Sequence, residues 1–187
     1  MSGLVILLVV GGIGLLLIFW LIGLYNSIKR KQIAANTGWA DIDVQLKRRY
    51  DLIPNLVNTV KGYAAHEKGT LEAVISARNA AVSAKGVAEQ AGAENVLTQA
   101  LGRLFAVAEA YPQLKANENF MQLQEELTST ENKIGFSRQN YNRLVNQYNE
   151  AIALFPANMV SGIFNFAPME FFELENQAQR EAPQVQF

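Results

Sequence analysis

The chain contains no cysteine, which excludes disulfide bonds, thiolate metal sites, cysteine nucleophiles and a cysteine-linked lipid anchor. Proline is also scarce, with five residues in 187, and between the N-terminal apolar run and Phe155 the prolines are Pro54 and Pro112. Long helices can therefore run almost without interruption, whereas a β-rich fold would need many more turns. The remaining composition is rich in Ala, Gln, Asn and Glu and favours helices.

The chain has almost no net charge, since its formal value at neutral pH is −1. Lys29, Arg30 and Lys31 account for three of the sixteen basic residues, so the rest of the chain carries thirteen basic residues against seventeen acidic ones. A body with this acidic balance disfavours contact with the phosphates of nucleic acids. We therefore expect no nucleic-acid partner.

Residue types that carry catalysis are sparse or wrongly spaced. His66 is the one histidine, it is followed by Glu67, and no HExxH pattern is present. A Ser-His-Asp set, a phosphate-binding glycine loop and a redox motif are likewise missing from the sequence. The sequence thus predicts no enzymatic activity, no cofactor and no metal site.

One long hydrophobic run dominates the N-terminus, because every residue from Leu4 to Leu24 is apolar or glycine. At a rise of about 1.5 Å per residue this run spans roughly 31 Å, the thickness of a hydrocarbon core. A cleaved signal peptide is the alternative, but it would need a basic start, a shorter apolar core and a small-x-small cleavage site. The predicted anchor residues are Leu4, Leu8, Ile13, Leu17, Trp20, Leu24, Tyr25, Lys29, Arg30 and Lys31.

The charges beside the apolar run predict its orientation. No Lys or Arg precedes Leu4, whereas the basic cluster at residues 29–31 follows the run at once. Positive residues favour the cytoplasmic side of a membrane. We expect a short N-terminal tail outside and the body of the protein in the cytoplasm.

Apolar residues then recur at steps of three, four or seven, a spacing typical of helices that are buried along one face. The expected helices cover residues 32–65, 70–84, 88–111 and a segment of about forty residues from Phe120 to Phe155. The first helix is expected to be nearly continuous with the anchor, and Pro54 predicts a kink there or, less favoured, a new helix capped near Asp51. On the third helix the predicted inner face is Val96, Ala100, Leu104 and Val107. The sequence therefore predicts an all-α fold, an elongated antiparallel bundle of about four helices with coiled-coil-like packing.

The chain changes character after Pro156, where Phe164, Phe166, Phe171 and Phe172 crowd a short stretch. These rings either fold back onto the bundle or make a contact with a second copy or with the membrane surface. The predicted organisation is a tail and transmembrane helix at 1–28, a helical bundle at 29–155 and this aromatic segment at 156–187.

Charged residues near the start of the bundle are the candidate interaction site. Arg48 and Arg49, beside Asp41 and Asp43, are placed to bind anionic lipid or a partner carboxylate. The alternative is a surface pair between Asp43 and Lys47 on an otherwise solvated face.

Arg138 lies near the apolar seam of the fourth helix, where an arginine is costly unless it meets a carboxylate. We therefore expect a buried pair with Asp41 or Asp43. The alternative is an arginine whose guanidinium group reaches solvent.

The sequence resembles the LemA family of bacterial envelope proteins along most of its length. The segments that carry the resemblance are WADIDVQLKRR at 39–49, DLIPNLV at 51–57, VKGYA at 60–64, ENKI at 131–134 and the pairs RQ, YN, YN and FP at 138, 141, 148 and 155. The resemblance implies an N-terminal transmembrane helix and a cytoplasmic helical bundle at the bacterial inner membrane. It does not supply a mechanism.

The sequence is compatible with three functions. The first is a scaffold that self-assembles at the membrane as a homo-oligomer. The second is an adaptor that presents partners to another membrane protein, such as an envelope-stress protease, through the surface from Asp41 to Asp51. The third is an enzyme or small-molecule binder, which would need a pocket that no motif indicates.

Overall fold

The computed structural model describes residues 2–173, and every regular element in that part of the chain is a helix. The all-α prediction is confirmed. Four long helices match the predicted set, and two short ones were not predicted. The helices are α1 (Ser2–Tyr63), α2 (Lys68–Ser83), α3 (Val87–Glu109), α4 (Pro112–Lys115), α5 (Glu118–Ala153) and α6 (Ala157–Ile163).

Helix α1 continues from the apolar run into the first predicted body helix without a break. Pro54 lies inside it on an exposed position, where the loss of one backbone donor is tolerated, so a new helix does not begin near Asp51. The kink at Pro54 stays a prediction. The predicted inner face is confirmed, because all six of its residues are buried: Ile42, Leu46, Ile53, Val57, Val60 and Ala64.

Two tight connections separate the next helices. Gly86 joins α2 to α3 with a φ of 80°, a conformation that side chains with a Cβ rarely adopt. Pro112 ends the third predicted helix as expected, and it also begins α4, where its missing donor costs nothing. Asn117 then accepts a hydrogen bond from the Phe120 backbone N–H at 3.0 Å and caps α5.

The inner face of α3 differs from the predicted one. Val96 is exposed and Val107 is half-buried, so that part of the prediction is wrong, while Ala100 and Leu104 are buried as expected. The buried row instead consists of Gln90, Glu94, Leu97, Leu101, Leu104 and Ala108, which step by three or four. Two polar residues, Gln90 and Glu94, therefore lie in line with the apolar residues on the buried face of α3.

Helix α5 shows the predicted seam. Most of its predicted residues are buried, namely Phe120, Leu127, Ile134, Tyr141, Val145, Tyr148 and Ile152, and Leu123 is half-buried. Phe155 is not buried, because the helix ends at Ala153 and turns the Phe155 ring outward, with 78% of the residue exposed.

The described residues divide into two compact units, and α1 and α5 each contribute to both. Unit 1 contains residues 2–40 and 140–169. Its core is Ile28 of α1, Tyr148 and Ile152 of α5, and Val160 of α6. Ile28 of α1 shares a core with Tyr148 and Ile152 of α5, whereas Gly38, later in α1, faces Tyr141 and Leu144, earlier in α5. In this unit α1 and α5 therefore run antiparallel. Each large apolar side chain buried here contributes roughly 1.5–3 kcal/mol.

Unit 2 contains residues 41–139 and 170–173 of the described chain. It is built from the later part of α1, from α2, α3 and α4, and from the first part of α5. Tyr63 accepts a hydrogen bond from Asn117, and the Phe105 ring lies 6.3 Å from that of Phe120. Short connections between successive helices make neighbours antiparallel, as in an up-and-down bundle.

Candidate membrane anchor and interaction surfaces

The N-terminal part of α1 exposes almost all of its apolar side chains. Leu4 and Leu8 are 69% and 65% exposed, and Ile13, Leu17 and Trp20 are also exposed. Such a surface is unfavourable in water, because each exposed large apolar side chain lacks the stabilisation that removal from water would give. The segment is long and apolar enough to cross a membrane, and none of its most apolar part is covered by the rest of the described chain.

The far end of the predicted anchor has a different environment. Leu24 and Tyr25 are half-buried against the core of unit 1. Lys29 and Arg30 are exposed, and Lys31 is half-buried. The apolar run therefore passes directly into a packed unit, with the basic residues at the junction.

Two of the four predicted phenylalanines pack on this end of α1. The rings of Phe164 and Phe166 lie 4.8 and 5.6 Å from the ring of Tyr25, in tilted arrangements. Lys29 Nζ lies 6.0 Å from the Phe166 ring centroid, at the outer limit of a cation–π contact. These rings fold back onto α1, and Phe164 keeps more than half of its surface exposed.

The other two phenylalanines belong to unit 2. Phe172 is buried, whereas Phe171 is exposed beside the first turns of α3, near Ala91 and Asn95. The aromatic segment thus splits at Met169, and its two halves pack in different units. Whether any of the four rings contacts lipid or a second copy stays a prediction.

A buried ion pair lies in unit 2, and it involves Arg49. One Arg49 guanidinium nitrogen lies 3.0 Å from a Glu94 carboxylate oxygen and 3.2 Å from a Glu131 carboxylate oxygen. The other terminal nitrogen donates to Thr98 Oγ1 at 2.8 Å. Arg49 and Glu94 are 3% and 2% exposed, while the Glu131 side chain is 44% exposed. This set joins α1, α3 and α5.

Tyr50 and Gln90 complete the network around the Glu94 carboxylate. The Tyr50 hydroxyl donates to one Glu94 oxygen. Gln90 Nε2 lies within hydrogen-bond distance of that oxygen, of the Tyr50 hydroxyl and of the Ala81 carbonyl, at 3.0, 2.8 and 3.1 Å. Arg78 Nε donates to the Tyr50 carbonyl at 2.7 Å, which brings α2 into the same cluster.

Burial dominates the electrostatics of this cluster. Removal from water raises the pKa of Glu94, although hydrogen bonds from Tyr50 and Gln90 and the charge of Arg49 oppose the shift. The pKa of Tyr50 is also raised, first by burial and then by the adjacent Glu94 carboxylate. Tyr50 therefore stays protonated and serves as a hydrogen-bond donor.

The cluster holds four helices together, and its groups are already engaged with one another. Sequence reasoning missed Glu94 and Gln90, whose partners on α1 are forty or more residues away. Their spacing was the available signal, since both continue the three- and four-residue steps of the α3 apolar row. A charged residue in such a row requires a buried partner.

Several predicted charged residues have other environments than expected. Arg49 is buried against carboxylates of its own chain instead of being exposed to lipid or a partner, so that prediction is wrong for it. Arg138 is half-buried, and among residues 2–173 it forms no ion pair with Asp41 or Asp43. Its partial exposure allows the guanidinium group to remain hydrated, which removes the need for a partner.

The charges at the start of unit 2 are open to solvent. Asp41, Asp43, Lys47 and Arg48 are exposed, and the predicted pair between Asp43 and Lys47 is not formed in the described chain. Exposed pairs of this kind contribute about 0.3–0.5 kcal/mol, too little to hold two long side chains together. His66 is exposed too, and residues 2–173 contain no group of three acidic or histidine side chains suited to a metal ion.

An all-α chain whose first helix has an uncovered, bilayer-length apolar end belongs to the class of membrane-associated helical proteins. The LemA family matches residues 38–187, and the chain belongs to that family. The predicted family is therefore confirmed.

Similar proteins have names that do not denote enzymes. The chain is 27% identical over 175 residues to magnetosome protein MamQ 1 of Paramagnetospirillum magneticum, covering 80% of this chain and 64% of that protein. It is 25% identical over 174 residues to magnetosome protein MamQ of Magnetospirillum gryphiswaldense, covering 79% and 64%. It is 26% identical over 164 residues to protein LemA of Metamycoplasma hominis, covering 84% and 74%. The chain thus spans 64% of the length of these magnetosome proteins.

Proposed function

We propose that this protein is a non-enzymatic scaffold, anchored by the first part of α1 in the bacterial inner membrane, that assembles with copies of itself through unit 2. The N-terminus lies outside and the body lies in the cytoplasm, as the basic residues after the anchor favour. The observation that carries self-assembly is the exposure of Phe136 and Val44, the two most exposed large apolar side chains among the described residues of unit 2. Phe136 of α5 is 73% exposed and Val44 of α1 is 63% exposed.

These two side chains lie at one level of unit 2. Arg49 contacts Glu131 and Tyr63 contacts Asn117, so the numbers of facing residues on α1 and α5 add up to 180. Val44 and Phe136 obey the same relation. Val44 and Phe136, each among polar neighbours on its own helix, are the patch that we propose for a partner.

We expect a second copy of the chain to bind this patch, because both copies are anchored in the same membrane. Anchored chains share one orientation and one side of the membrane, so the patches of neighbouring chains face the same compartment. Confinement to a surface also raises the effective concentration of each patch for the other. An isologous contact about a two-fold axis normal to the membrane would pair Phe136 with Phe136.

The absence of catalysis in this proposal is supported by the engagement of the buried polar groups. Arg49, Glu94, Tyr50 and Gln90 bond to one another. Arg49 lines a cavity of about 260 Å³, but its guanidinium group is engaged with Glu94 and Glu131. The buried cluster then serves to hold the helices that display the patch.

Cysteine cross-linking in membranes tests the proposed contact, since the chain has no cysteine of its own. Phe136→Cys should form disulfide-linked dimers when membranes are treated with a copper–phenanthroline oxidant. Val96→Cys is the matched control, because Val96 is 56% exposed on α3 of the same unit. Equal cross-linking at both positions, or none at Phe136→Cys, would contradict the proposed patch.

A second candidate function, an adaptor for another membrane protein, is favoured by the open charges at the start of unit 2. Asp41, Asp43 and Arg48 are exposed and form none of the ion pairs of the described chain. Each of them is therefore available to a side chain of the opposite charge on a partner. Asp41→Lys with Asp43→Lys would then release a co-purifying membrane protein, while the mass of the protein's own assembly stays unchanged. The scaffold proposal predicts that the mass of the assembly falls when Phe136 is substituted and does not change when Asp41 and Asp43 are substituted.

A further inference from the structure

The chain around α6 carries no charge and turns apolar side chains outward. Between Glu150 and Glu170 there are nineteen residues, and none is Asp, Glu, Lys, Arg or His. Met159 and Ile163 lie one helical turn apart and are 63% and 71% exposed, while Val160 between them is buried. A helix of a water-soluble surface shows the reverse pattern, with polar residues outside.

Hydrogen bonds join this segment to α5 within unit 1. The Tyr148 hydroxyl donates to the Ala167 carbonyl at 2.9 Å. The Asn149 side chain donates to the Met169 carbonyl and accepts from the Met169 N–H, both at 2.9 Å. Outward exposure is therefore a feature of a fixed surface rather than of a loose end.

The residues that line the groove between α6 and α1 show how far along the anchor the exposed surface of α6 lies. Ile18, Leu21, Ile22 and Tyr25 form one wall, and Val160, Ile163 and Phe164 form the other, around a space of about 470 Å³. Ile18 precedes Leu24 by six residues, which is about 9 Å along a helix. When the apolar run lies in the bilayer, Ile163 and Phe164 lie beside its last two turns, inside the hydrocarbon layer.

The backbone of this segment is also suited to an apolar medium, where unpaired polar groups are costly. The Asn158 N–H donates to the Leu154 carbonyl at 2.9 Å, and the Phe164 N–H donates to the Val160 carbonyl at 3.1 Å. The Ser161 hydroxyl donates to the Ile152 carbonyl at 2.9 Å, which satisfies a carbonyl near the end of α5.

From this geometry we infer that α6 and the flanking Leu154 and Phe155 insert into the leaflet beside the C-terminal end of the anchor, where lipid acyl chains fill the groove. The inference rests on the membrane anchoring of the proposed function and is independent of self-assembly. Acyl chains are the occupant because one wall of the groove is the anchor itself, so whatever surrounds the anchor reaches the groove. The protein thus has a second, interfacial attachment to lipid beside its spanning helix.

Depth-dependent fluorescence quenching tests this attachment in the full-length chain. Single cysteines at Ile163 and Met159 carry an NBD label, and each variant is reconstituted into phosphatidylcholine vesicles with or without doxyl-labelled phosphatidylcholine. Ile13→Cys, in the middle of the apolar run, reports the anchor. Val96→Cys, which is exposed on unit 2, is the matched apolar control. Circular dichroism verifies that each labelled chain keeps its helix content.

The labels at Ile163 and Met159 should each lose about half of their fluorescence to quencher near the top of the acyl chain, since interfacial helices lie at that depth. The label at Val96 should lose none. Quenching at Ile13 without quenching at Ile163 and Met159 would overturn the inference and leave the anchor intact, and it is also the result expected if a second copy covers the groove. No quenching at any position would overturn the membrane anchoring and the inference together.

Discussion

The Arg49 guanidinium group lies inside unit 2, and it stabilises the fold through its ion pairs with Glu94 and Glu131. Arg49→Met keeps the volume of the side chain but leaves Glu94 buried without its opposite charge. Loss of one partner of a buried pair costs about 3–5 kcal/mol. At this chain length that cost lowers the melting temperature by roughly 10 °C, as followed by circular dichroism in mild detergent.

The neighbouring arginine provides the control for this substitution. Arg48 is exposed and forms no ion pair in the described chain, so Arg48→Met should change stability by less than about 0.5 kcal/mol. Equal melting temperatures for Arg49→Met and Arg48→Met would show that the buried cluster does not hold the helices.

The raised pKa of Glu94 predicts how its contribution varies with pH. In the unfolded chain the carboxyl titrates near its ordinary pKa of 4.5, whereas in the folded chain burial keeps it protonated to higher pH. As pH rises, the unfolded state loses this proton first, so the titration of Glu94 lowers the free energy of unfolding. The contribution is complete below pH 4.5 and is lost as pH rises through the folded-state pKa.

Glu94→Gln removes this titration and serves as the reference. The melting temperature of the natural chain minus that of Glu94→Gln should therefore be largest near pH 4 and should decline toward pH 8. Carboxylates elsewhere cancel in the difference because both proteins contain them. A difference that grows with pH would mean that the Arg49 charge, rather than burial, controls Glu94.

Site residues were predicted less well than the fold, and the reason is physical. The sequence indicated that an arginine would be buried with a carboxylate, but it favoured Arg138, whereas the structure buries Arg49. Both arginines lie beside apolar seam positions, and local spacing does not show which of them meets a carboxylate on a distant helix. Glu94 is 45 residues from Arg49 along the chain, so its role depends on how the helices pack.

At the level of helices, the close approach of α1 and α5 in unit 1 depends on Gly38. A Cβ at this position would lie 2.9 Å from Leu144 Cδ1 and 3.4 Å from the Tyr141 Cα. Alanine is tolerable, because the Leu144 tip can shift and alanine favours a helix by about 1 kcal/mol. Gly38→Leu, however, forces the two helices apart and should cost about 1–3 kcal/mol.

Gly102 is the matched position for that experiment. It lies in the interior of α3, and a Cβ there meets nothing within 4 Å. Gly102→Leu should therefore leave the melting temperature equal or higher, since it removes a flexible residue from a helix. A loss of stability at Gly102 as large as that at Gly38 would argue against close packing at Gly38.

Helix boundaries were largely readable from the sequence, and one helix face was not. The α5 seam alternates large apolar residues with polar ones, so its buried side is unambiguous. Helix α3 is rich in alanine, which occurs on every side of it, and the periodic signal is correspondingly weak. The prediction therefore selected Val96, while the polar residues Gln90 and Glu94 marked the buried side.

At the scale of the whole molecule, the sequence was most informative about the membrane. An uninterrupted run of twenty-one apolar or glycine residues is long enough to cross a bilayer, and this signal is read from the run alone. Family membership and the uncovered surface of α1 agree with that prediction. Orientation and the number of copies in an assembly depend on partners outside the chain, and these remain predictions.

The mass of the full-length protein in lipid nanodiscs taken directly from the membrane tests the scaffold proposal most directly. Mass photometry should show particles that contain several copies of the natural chain. Substitution of both Phe136→Ser and Val44→Ser should reduce them to single chains, while Val82→Ser with Val96→Ser, at similarly exposed positions, should not. Single chains for the natural protein, or unchanged assemblies after the Phe136 and Val44 substitutions, would contradict self-assembly through unit 2.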